Sequence, residues 1–449
     1  MNYIKVISRK SQLAVLQVKE VLDVCPGTEY KLTTLDTYGD VHKEISLLEN
    51  PPADLFTREL DRALIEDVAD IAIHSAKDLP FPLPEGLEVV ALLDAFDQTD
   101  SLVSRNNVLL KDLPAGSKVG TSSPLRRNEL LAIRPDLEAV SIRGTVEERI
   151  ALVDSGSIDA FIVASSALHR LGLTDNAVEV LPFETPPLQG KLAVVAKTGR
   201  PELKILFEGI DVRSRFGKVT LVGFGPGDPE LLTLAGDRSM READVIFHDD
   251  LVDRIFLDRY PAEKFYVGKR RHCHSFEQEQ INKLMLVAAM EGKSVVRLKG
   301  GDPMIFAHGG EEVEFLKSNF ISVKVIPGVS TGIAVASLTQ IPLTLRGIAK
   351  SVAFITGHAA DVQLPVADTL VCFMAGSTIH LIAAKAIAEG RDPKTPVALV
   401  YNVSLPDQKE FLSNLELLSR SDFKYPTPII IIIGEVVSFR GNPHGNIIL

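Results

Sequence analysis

The segment KVTLVGFGPGD, residues 218–228, decides the fold of the second half of the chain. An apolar, β-branched run passes into three closely spaced glycines, Gly223, Gly225 and Gly227, and a helical pattern follows. Glycines at the carboxyl end of a strand let a ligand approach the backbone closely. Taken alone, the motif fits a ligand-binding turn or a purely structural turn. A phosphate-binding loop gains no support, because no lysine–serine pair follows the glycines.

Two further turns of the same kind lie downstream. The strand pattern SVVRLK, residues 294–299, ends in GGDP at 300–303, and VKVIPG, residues 323–328, ends in VSTG at 329–332. Because the carboxyl ends of parallel strands meet at one edge of a sheet, three such turns predict a single cleft at that edge.

The composition is that of an ordinary soluble protein. The chain has 449 residues, of which 45% are apolar and 24% charged, a length that predicts about two to four domains. A net charge of -11 argues against binding nucleic acid by bulk electrostatics. The amino terminus lacks the apolar core of a signal peptide, and no run reaches the ~18 apolar residues of a membrane helix. We therefore expect a cytoplasmic protein without a membrane partner.

The cysteines give no sign of a metal site or a disulfide framework. Cys25, Cys273 and Cys372 are the three in the chain, and none belongs to a CxxC pair. A reducing compartment fits this pattern, and no bound metal is expected.

Short β-branched runs alternate with amphipathic stretches along the whole chain. YIKVIS precedes QLAVLQVKEVLDV, for example, and DAFIVA precedes ALHRL. This alternation predicts α/β units with mostly parallel sheets. The mixed, charged stretch before residue 218 predicts a domain boundary near 210–217, which gives domains at 1–210 and 217–449.

A series of motifs fills residues 217–449 in the order GFGPGDPELLTL, VGKR followed by HS, VVRLKGGDPMIFAHGGEE, VIPGVSTGIAVAS, IPLTLRG, FITGH, TPVALVYNVSLPDQ and GEVV. In this order the motifs resemble the uroporphyrinogen-III C-methyltransferase family, a branch of the tetrapyrrole methylases. The resemblance implies two α/β lobes around a cleft and a homodimer formed through this half. It also implies S-adenosylmethionine-dependent methylation of uroporphyrinogen III to precorrin-2, by way of precorrin-1, in siroheme or cobalamin biosynthesis.

The same resemblance assigns the cofactor contacts position by position. Val403 departs from the glycine that is frequent there in the family, and Ile305 and Met374 could equally be ordinary core residues. The implied contacts are Pro226, Gly300, Gly301, Asp302, Ile305, Ser330, Thr331, Met374 and Val403.

Methylation at carbon requires a proton to leave the macrocycle, which calls for a base. Asp249, in FHDDLV, matches the family's aspartate and is the predicted base, while His248 stands where tyrosine is frequent. Lys269, in VGKR, is the predicted acid or electrostatic partner. The basic run at 269–271 could be a solvated surface, or it could pair with the carboxylates of the substrate.

Motifs in residues 1–197 point to a second family. They read VISRKSQLAVLQ, DIAIHSAKDLP, LPAGSKVGTSS, RPDLEAVSIRGTVEERI, LVDSGSIDAFIVASSALHRLGL and PPLQGKLAVVAK. They resemble the first two domains of porphobilinogen deaminase (hydroxymethylbilane synthase), which implies two lobes built like a periplasmic binding protein. Asp78 matches that family's catalytic aspartate. The positions that match those holding acetate and propionate groups are Arg9, Ser75, Lys77, Thr121, Ser122, Ser123, Arg126, Arg127, Arg143 and Arg149.

The departures from the deaminase pattern matter as much as the matches. The third domain, whose cysteine carries a covalent dipyrromethane cofactor, is missing, and no cysteine has the matching context, so this cofactor is not expected. ADLF at 53–56 loses a lysine, TSSPLRR has one residue inserted before Arg126, and Thr145 replaces an asparagine. Three alternatives stay open: a bifunctional enzyme, a module that binds porphobilinogen or a linear tetrapyrrole or acts as a scaffold for the methyltransferase, and a deaminase completed by a partner chain.

Overall fold

The chain divides into two compact units, an amino-terminal unit, Met1–Arg215, and a carboxy-terminal unit, Phe216–Leu449. The computed structural model describes residues 3–25, 27–49, 51–249, 252, 254–268, 277–357, 363–421, 425 and 427–440. Among these residues, no helix combines the length and the apolar character that crossing a bilayer requires.

The amino-terminal unit alternates strands and helices. Its strands are β1 (Ile4–Arg9), β2 (Tyr30–Leu35), β3 (Ile71–Ser75), β4 (Leu87–Leu93), β5 (Asp100–Ser104), β6 (Lys118–Thr121), β7 (Glu138–Ser141), β8 (Ala160–Ala164), β9 (Glu179–Leu181) and β10 (Leu192–Lys197). Its helices are α1 (Gln12–Asp23), α2 (Tyr38–Val41), α3 (Arg58–Ile65), α4 (Pro124–Ile133), α5 (Val146–Asp154), α6 (Ser165–Leu171) and α7 (Pro201–Phe207).

Within the described residues, these strands form two five-stranded sheets, ordered β2-β1-β3-β10-β4 and β7-β6-β8-β5-β9. The second sheet is an insertion, because the chain leaves the first sheet after β4 and returns to it as β10. β10 is antiparallel to both of its neighbours, β3 and β4. Each sheet and its helices form one lobe, which confirms the two-lobed fold expected for this half.

The carboxy-terminal unit has the same alternation. Its strands are β11 (Lys218–Gly225), β12 (Val245–His248), β13 (Glu263–Tyr266), β14 (Val295–Gly300), β15 (Ser322–Ile326), β16 (Val352–Thr356), β17 (Thr369–Phe373), β18 (Pro396–Tyr401), β19 (Lys409–Asn414) and β20 (Ile429–Ile433). Its helices are α8 (Leu234–Arg241), α9 (Arg254–Leu257), α10 (Gln278–Met290), α11 (Gly309–Ser318), α12 (Thr331–Thr339), α13 (Ile379–Ala388) and α14 (Leu415–Ser419).

Two five-stranded sheets again account for these strands in the described part of the chain. The first, β13-β12-β14-β11-β15, is parallel throughout. Apolar clusters cover it on both faces, as a parallel sheet requires. The second, β16-β17-β20-β18-β19, is mixed, and its central β20 consists of five buried isoleucines. The two α/β lobes expected for this half are confirmed.

The segment after the first glycine turn differs from the single helix that its pattern predicts. Asp228 caps a short 3-10 turn at Pro229–Leu231, and α8 begins only after Thr233, whose side chain accepts from the Gly236 N–H. Proline fixes its own φ and lacks an N–H, so it favours this separate first turn. The split leaves the turn at residues 225–228 free of the helix.

Candidate functional site

The three glycine turns of the carboxy-terminal unit meet at one sheet edge. They follow the neighbouring parallel strands β14, β11 and β15. Gly225 and Gly301 exchange backbone hydrogen bonds, with N···O distances of 3.2 and 2.7 Å. A Cβ added to Gly328 would lie 2.3 Å from the carbonyl oxygen of Gly301, so the turns touch backbone to backbone.

Asp302 links two of these turns, and Ser330 begins the helix that follows the third. The Asp302 carboxylate accepts from the Met304 N–H at 2.8 Å with one oxygen and from the Gly328 N–H at 3.1 Å with the other. Ser330 is buried at the N-cap position of α12, and Thr331 is the first residue of that helix. Asp302 therefore joins the second turn to the third.

The apolar residues predicted at the cofactor site fall into two groups. The side chains of Ile305 and Met374 are 37% and 47% exposed, which is inconsistent with an ordinary core position. Val403 is 4% exposed and belongs to a core cluster. Pro226 is buried in the first turn.

Loops of the second sheet contact this same edge. The Asp228 N–H donates to Ser404 Oγ at 3.0 Å, which joins the first turn to the loop after Val403. The rings of Phe306 and Phe373 lie 5.1 Å apart, which brings the second turn to the end of β17, next to Met374. The predicted cofactor residues are therefore brought together from both sheets.

Asp249 lies at the end of β12, one strand away from the turns. Its Oδ1 accepts from Arg297 Nη2 at 2.6 Å, and its side chain is 30% exposed. Oδ2 has no hydrogen-bond partner among the described residues. Lys269, the predicted acid, lies outside the described residues.

A second site occupies the amino-terminal unit, where a cavity of about 590 Å³ lies between the two lobes. Its wall includes most of the predicted pyrrole-site residues, namely Arg9, Ser75, Lys77, Asp78, Ser122, Ser123, Arg126, Arg143 and Arg149.

Thr121 and Arg127 do not contribute to this wall. Thr121 is buried, and its Oγ1 accepts from the Ser123 N–H at 3.2 Å. Arg127 is exposed on α4, one residue beyond Arg126. Successive helical residues are turned by about 100°, so only one of the two arginines can face the cavity.

Some cations of the wall are already committed to carboxylates. Arg9 Nε donates to Asp40 at 3.0 Å. Arg126 makes a bidentate pair with Asp100, at 2.8 and 2.6 Å, in which the Asp100 side chain is fully buried. These pairs are internal to the unit and leave little charge for a ligand.

Lys77, Arg143 and Arg149 differ, because none of them makes a salt bridge with a described residue. Their hydrogen bonds go to neutral oxygens: Lys77 to the Gln189 side chain at 3.1 Å, Arg143 to a backbone carbonyl at 2.6 Å and Arg149 to another at 3.1 Å. We call these three residues the free cations.

Burial and neighbouring arginines destabilise the charged forms of the free cations. Burial, and then the charge of Arg126, lower the pKa of Lys77 to about 8 and that of Arg149 to about 10. Burial, and then Arg9, lower the pKa of Arg143. A bound anion relieves both effects, so the cavity favours a ligand with carboxylates.

Comparisons with known proteins agree with this two-part architecture. Residues 4–204 match the family described as porphobilinogen deaminase, dipyromethane cofactor binding domain, and residues 218–418 match the tetrapyrrole (corrin/porphyrin) methylases. A siroheme synthase from Ectopseudomonas mendocina is 42% identical over 333 residues, which cover 68% of this chain and 72% of that protein. The chain belongs to the siroheme synthase family.

Other members of the siroheme synthase family align over less of their length. The protein from Azotobacter vinelandii is 45% identical over 236 residues, 50% of this chain and 51% of that protein. The chain thus spans about half the length of this relative. A solved uroporphyrin-III C-methyl transferase from Thermus thermophilus, complexed with S-adenyl homocysteine, is 40% identical and covers 50% of this chain and 100% of its own, with a TM-score of 0.45.

For this member of the siroheme synthase family, the fusion expected from the motifs is confirmed. The hydrogen-bonding partners of the site residues were not predicted from the sequence. Asp100 and Gln189 both bind Arg126, at 2.6 and 3.3 Å, and Arg297 binds Asp249. Gln189 lies in the motif PPLQGKLAVVAK and Arg297 in VVRLKGGDP. Membership of these motifs was the one sign in the sequence that the two residues belong to the sites.

Proposed function

We propose that the carboxy-terminal unit methylates uroporphyrinogen III with S-adenosylmethionine, giving precorrin-2 by way of precorrin-1. The observation that carries the proposal is the meeting of three glycine turns at one edge of a parallel sheet in a tetrapyrrole methylase domain. The place of this step in siroheme biosynthesis follows from the relatives. Cobalamin biosynthesis is the alternative destination of precorrin-2.

The residues at the edge fit the proposed methyl donor. Gly301 has φ +68°, and an added Cβ would be in van der Waals contact with Thr331 at 3.6 Å and with Ser330 at 3.9 Å, so a side chain here would lie against two predicted cofactor contacts. The exposed side chains of Ile305 and Met374 offer apolar contact beside it. Ser330 and Thr331 offer polar groups at the start of α12. When bound, S-adenosylmethionine supplies an electrophilic methyl group.

The chain's own residues then handle the substrate. Asp249 accepts the proton that leaves the macrocycle, through the oxygen that Arg297 does not hold. Lys269 pairs with the acetate and propionate groups or acts as the acid. The protein works as a homodimer through this unit, in the cytoplasm.

One assay tests the methyl transfer directly. The full chain is incubated without oxygen with uroporphyrinogen III and S-adenosylmethionine labelled in its methyl group. We expect two labels per macrocycle, detected by mass, and S-adenosylhomocysteine as the co-product. A macrocycle that remains unlabelled while the protein binds S-adenosylhomocysteine would refute the assignment of the substrate.

For the amino-terminal unit we propose binding of a pyrrole that carries acetate and propionate groups, without independent synthesis of hydroxymethylbilane. The free cations support this ligand class. The thiols argue against a covalent dipyrromethane: Cys25 and Cys372 are both buried, and burial raises the pKa of each. Cys273 lies outside the described residues.

Porphobilinogen as the sole pyrrole separates the alternatives. We expect the full chain to bind it without consuming it, and the purified chain to carry no adduct by mass spectrometry. Steady consumption together with an adduct would support the bifunctional enzyme instead. Consumption that begins only when a partner chain is added would support the split deaminase.

A further inference from the structure

Three charged side chains, Arg297, Glu312 and Lys299, connect Asp249 to the interior of the carboxy-terminal unit. Arg297 donates to Asp249 Oδ1 at 2.6 Å and to Glu312 Oε1 at 3.3 Å, and Lys299 Nζ donates to the same glutamate oxygen at 2.7 Å. The side chains of Arg297, Lys299 and Glu312 are at most 4% exposed, against 30% for Asp249. We call Asp249, Arg297, Lys299 and Glu312 the buried quartet. Asp249 is its one solvent-exposed member.

The main chain explains why the quartet assembles. Arg297 and Lys299 are two residues apart in β14, so they project from the same face. β12 lies beside β14, with Phe247 opposite Arg297 and His248 opposite Leu298, so Asp249 follows β12 at the level where Arg297 and Lys299 project. Glu312 comes from the first turn of α11, after the glycine turn that ends β14. One strand therefore carries both the predicted cofactor turn and the arginine that holds Asp249.

Arg297 is fixed on several sides. Besides the two carboxylates, its Nη1 donates to the backbone oxygen of Leu298 at 3.1 Å. Glu312 is fixed in turn, because Gln278 Nε2 donates to its Oε1 at 3.0 Å. These contacts fix the orientation of the guanidinium, and its Nη2 donates to Asp249 Oδ1.

The charges of the quartet balance. With Asp249 ionised, two carboxylates face two cations, and the formal sum is zero. Burial, and then Arg297, lower the pKa of Lys299, while Glu312 opposes both effects. Buried charges are costly unless they are paired, and each cation of the quartet donates to a carboxylate.

We propose that Arg297, anchored by Glu312, is a positioning residue of the methyl transfer. It holds Oδ1 of Asp249 and leaves Oδ2 to accept the proton that departs from the macrocycle. The methyl–sulfur bond breaks with its electron pair staying on sulfur, a carbon–carbon bond forms, and the pair of the broken bond to hydrogen stays on the macrocycle. The inference rests on the proposed function and on Asp249 as its base.

A double-mutant cycle between Arg297→Lys and Asp249→Asn tests the proposal in the full chain. Arg297→Lys keeps the charge but shortens the reach, so kcat falls by about 10²-fold, the cost of misplacing a reacting group. KM for uroporphyrinogen III and the affinity for S-adenosylhomocysteine change less than about twofold, because Arg297 affects the reaction only through Asp249. In the Asp249→Asn background, Arg297→Lys lowers kcat no further.

Glu312→Gln repeats the cycle with a nearly isosteric change, in case Arg297→Lys fails to fold. Glu314→Gln, on the exposed side of α11, is the matched control and leaves kcat unchanged. If Arg297→Lys and Glu312→Gln lowered kcat by the same factor with and without Asp249→Asn, the inference would be overturned. The proposed methyltransferase function would be unaffected. Full activity of Asp249→Asn would overturn it by removing the base. A parent chain that never methylates uroporphyrinogen III would instead defeat the proposed function.

Discussion

The guanidinium of Arg126 grips the carboxylate of Asp100 with two hydrogen bonds, from Nε at 2.8 Å and from Nη2 at 2.6 Å. Gln189 completes the cluster by donating to Asp100 at 2.8 Å and accepting from Arg126 at 3.3 Å. Arg126 comes from α4 of the second lobe, whereas Gln189 lies in the segment that returns to the first. The cluster therefore stabilises the cavity wall more than it offers charge to a ligand.

Asp100→Asn should destabilise the amino-terminal unit. The substitution leaves the Arg126 charge buried and unpaired, a change that costs about 3–5 kcal/mol of unfolding free energy. Urea denaturation of the full chain, followed by a probe in this unit, measures the loss. Arg127→Gln, on the exposed side of α4, is the control and should stay within about 0.5 kcal/mol of the parent. Equal stability of Asp100→Asn and the parent would contradict this role.

Gly301→Val should abolish binding of S-adenosylhomocysteine. The added side chain lies against Ser330 and Thr331, two predicted cofactor contacts, and φ +68° strains any residue with a Cβ. Gly390→Val separates these two effects, because Gly390 has φ +97° and open surroundings after α13. Calorimetry should show binding by the control and none by Gly301→Val. Loss of binding in both variants would mean that backbone strain, not ligand space, is responsible.

Asp249→Asn should lower kcat by about 10²-fold or more, because an amide cannot accept the proton. The affinity for S-adenosylhomocysteine should stay near the parent value, since Asp249 lies one strand away from the glycine turns. Steady-state rates and calorimetry on the same preparation check the two halves of this prediction. A variant that methylates at the parent rate would show that another group, or water, is the base.

Porphobilinogen binding should weaken as the pH rises through 8. Lys77 has a folded pKa of about 8, so it is charged below that pH and neutral above it. Its attraction for a carboxylate is therefore present at pH 7 and lost by pH 9. Titration at both pH values, at fixed ionic strength, measures the change. Lys77→Arg should flatten the dependence, and a parent affinity equal at both values would exclude Lys77 from the contact.

The strand and glycine patterns predicted the architecture because they record local preferences. The turns at 225–228 and 300–303 lie where their strand patterns end. Whether a given side chain is buried or exposed depends on tertiary contacts, which local sequence patterns do not record. Whether Met374 is core or cofactor wall depends on which loop faces it, and the sequence left that choice open.

The ion pairs and hydrogen bonds of the site residues could not be predicted, because they join residues that are distant in sequence. Arg126 and Asp100 are 26 positions apart, Arg126 and Gln189 63 apart, and Arg297 and Asp249 48 apart. Each partner is polar and, in isolation, typical of a surface. Only the fold decides which of the cavity arginines keep their charge for a ligand, and it selects Arg143 and Arg149 over Arg126.

The place of β10 also sets an order for folding during synthesis. This strand lies between β3 and β4, so both keep an unpaired edge until residue 197 has left the ribosome. The second lobe is continuous in sequence from β5 to β9 and can close earlier. Unpaired edges invite association with other chains. A nascent chain that has released β9 but not β10 would thus present a finished second lobe beside an open first sheet, the state most exposed to aggregation.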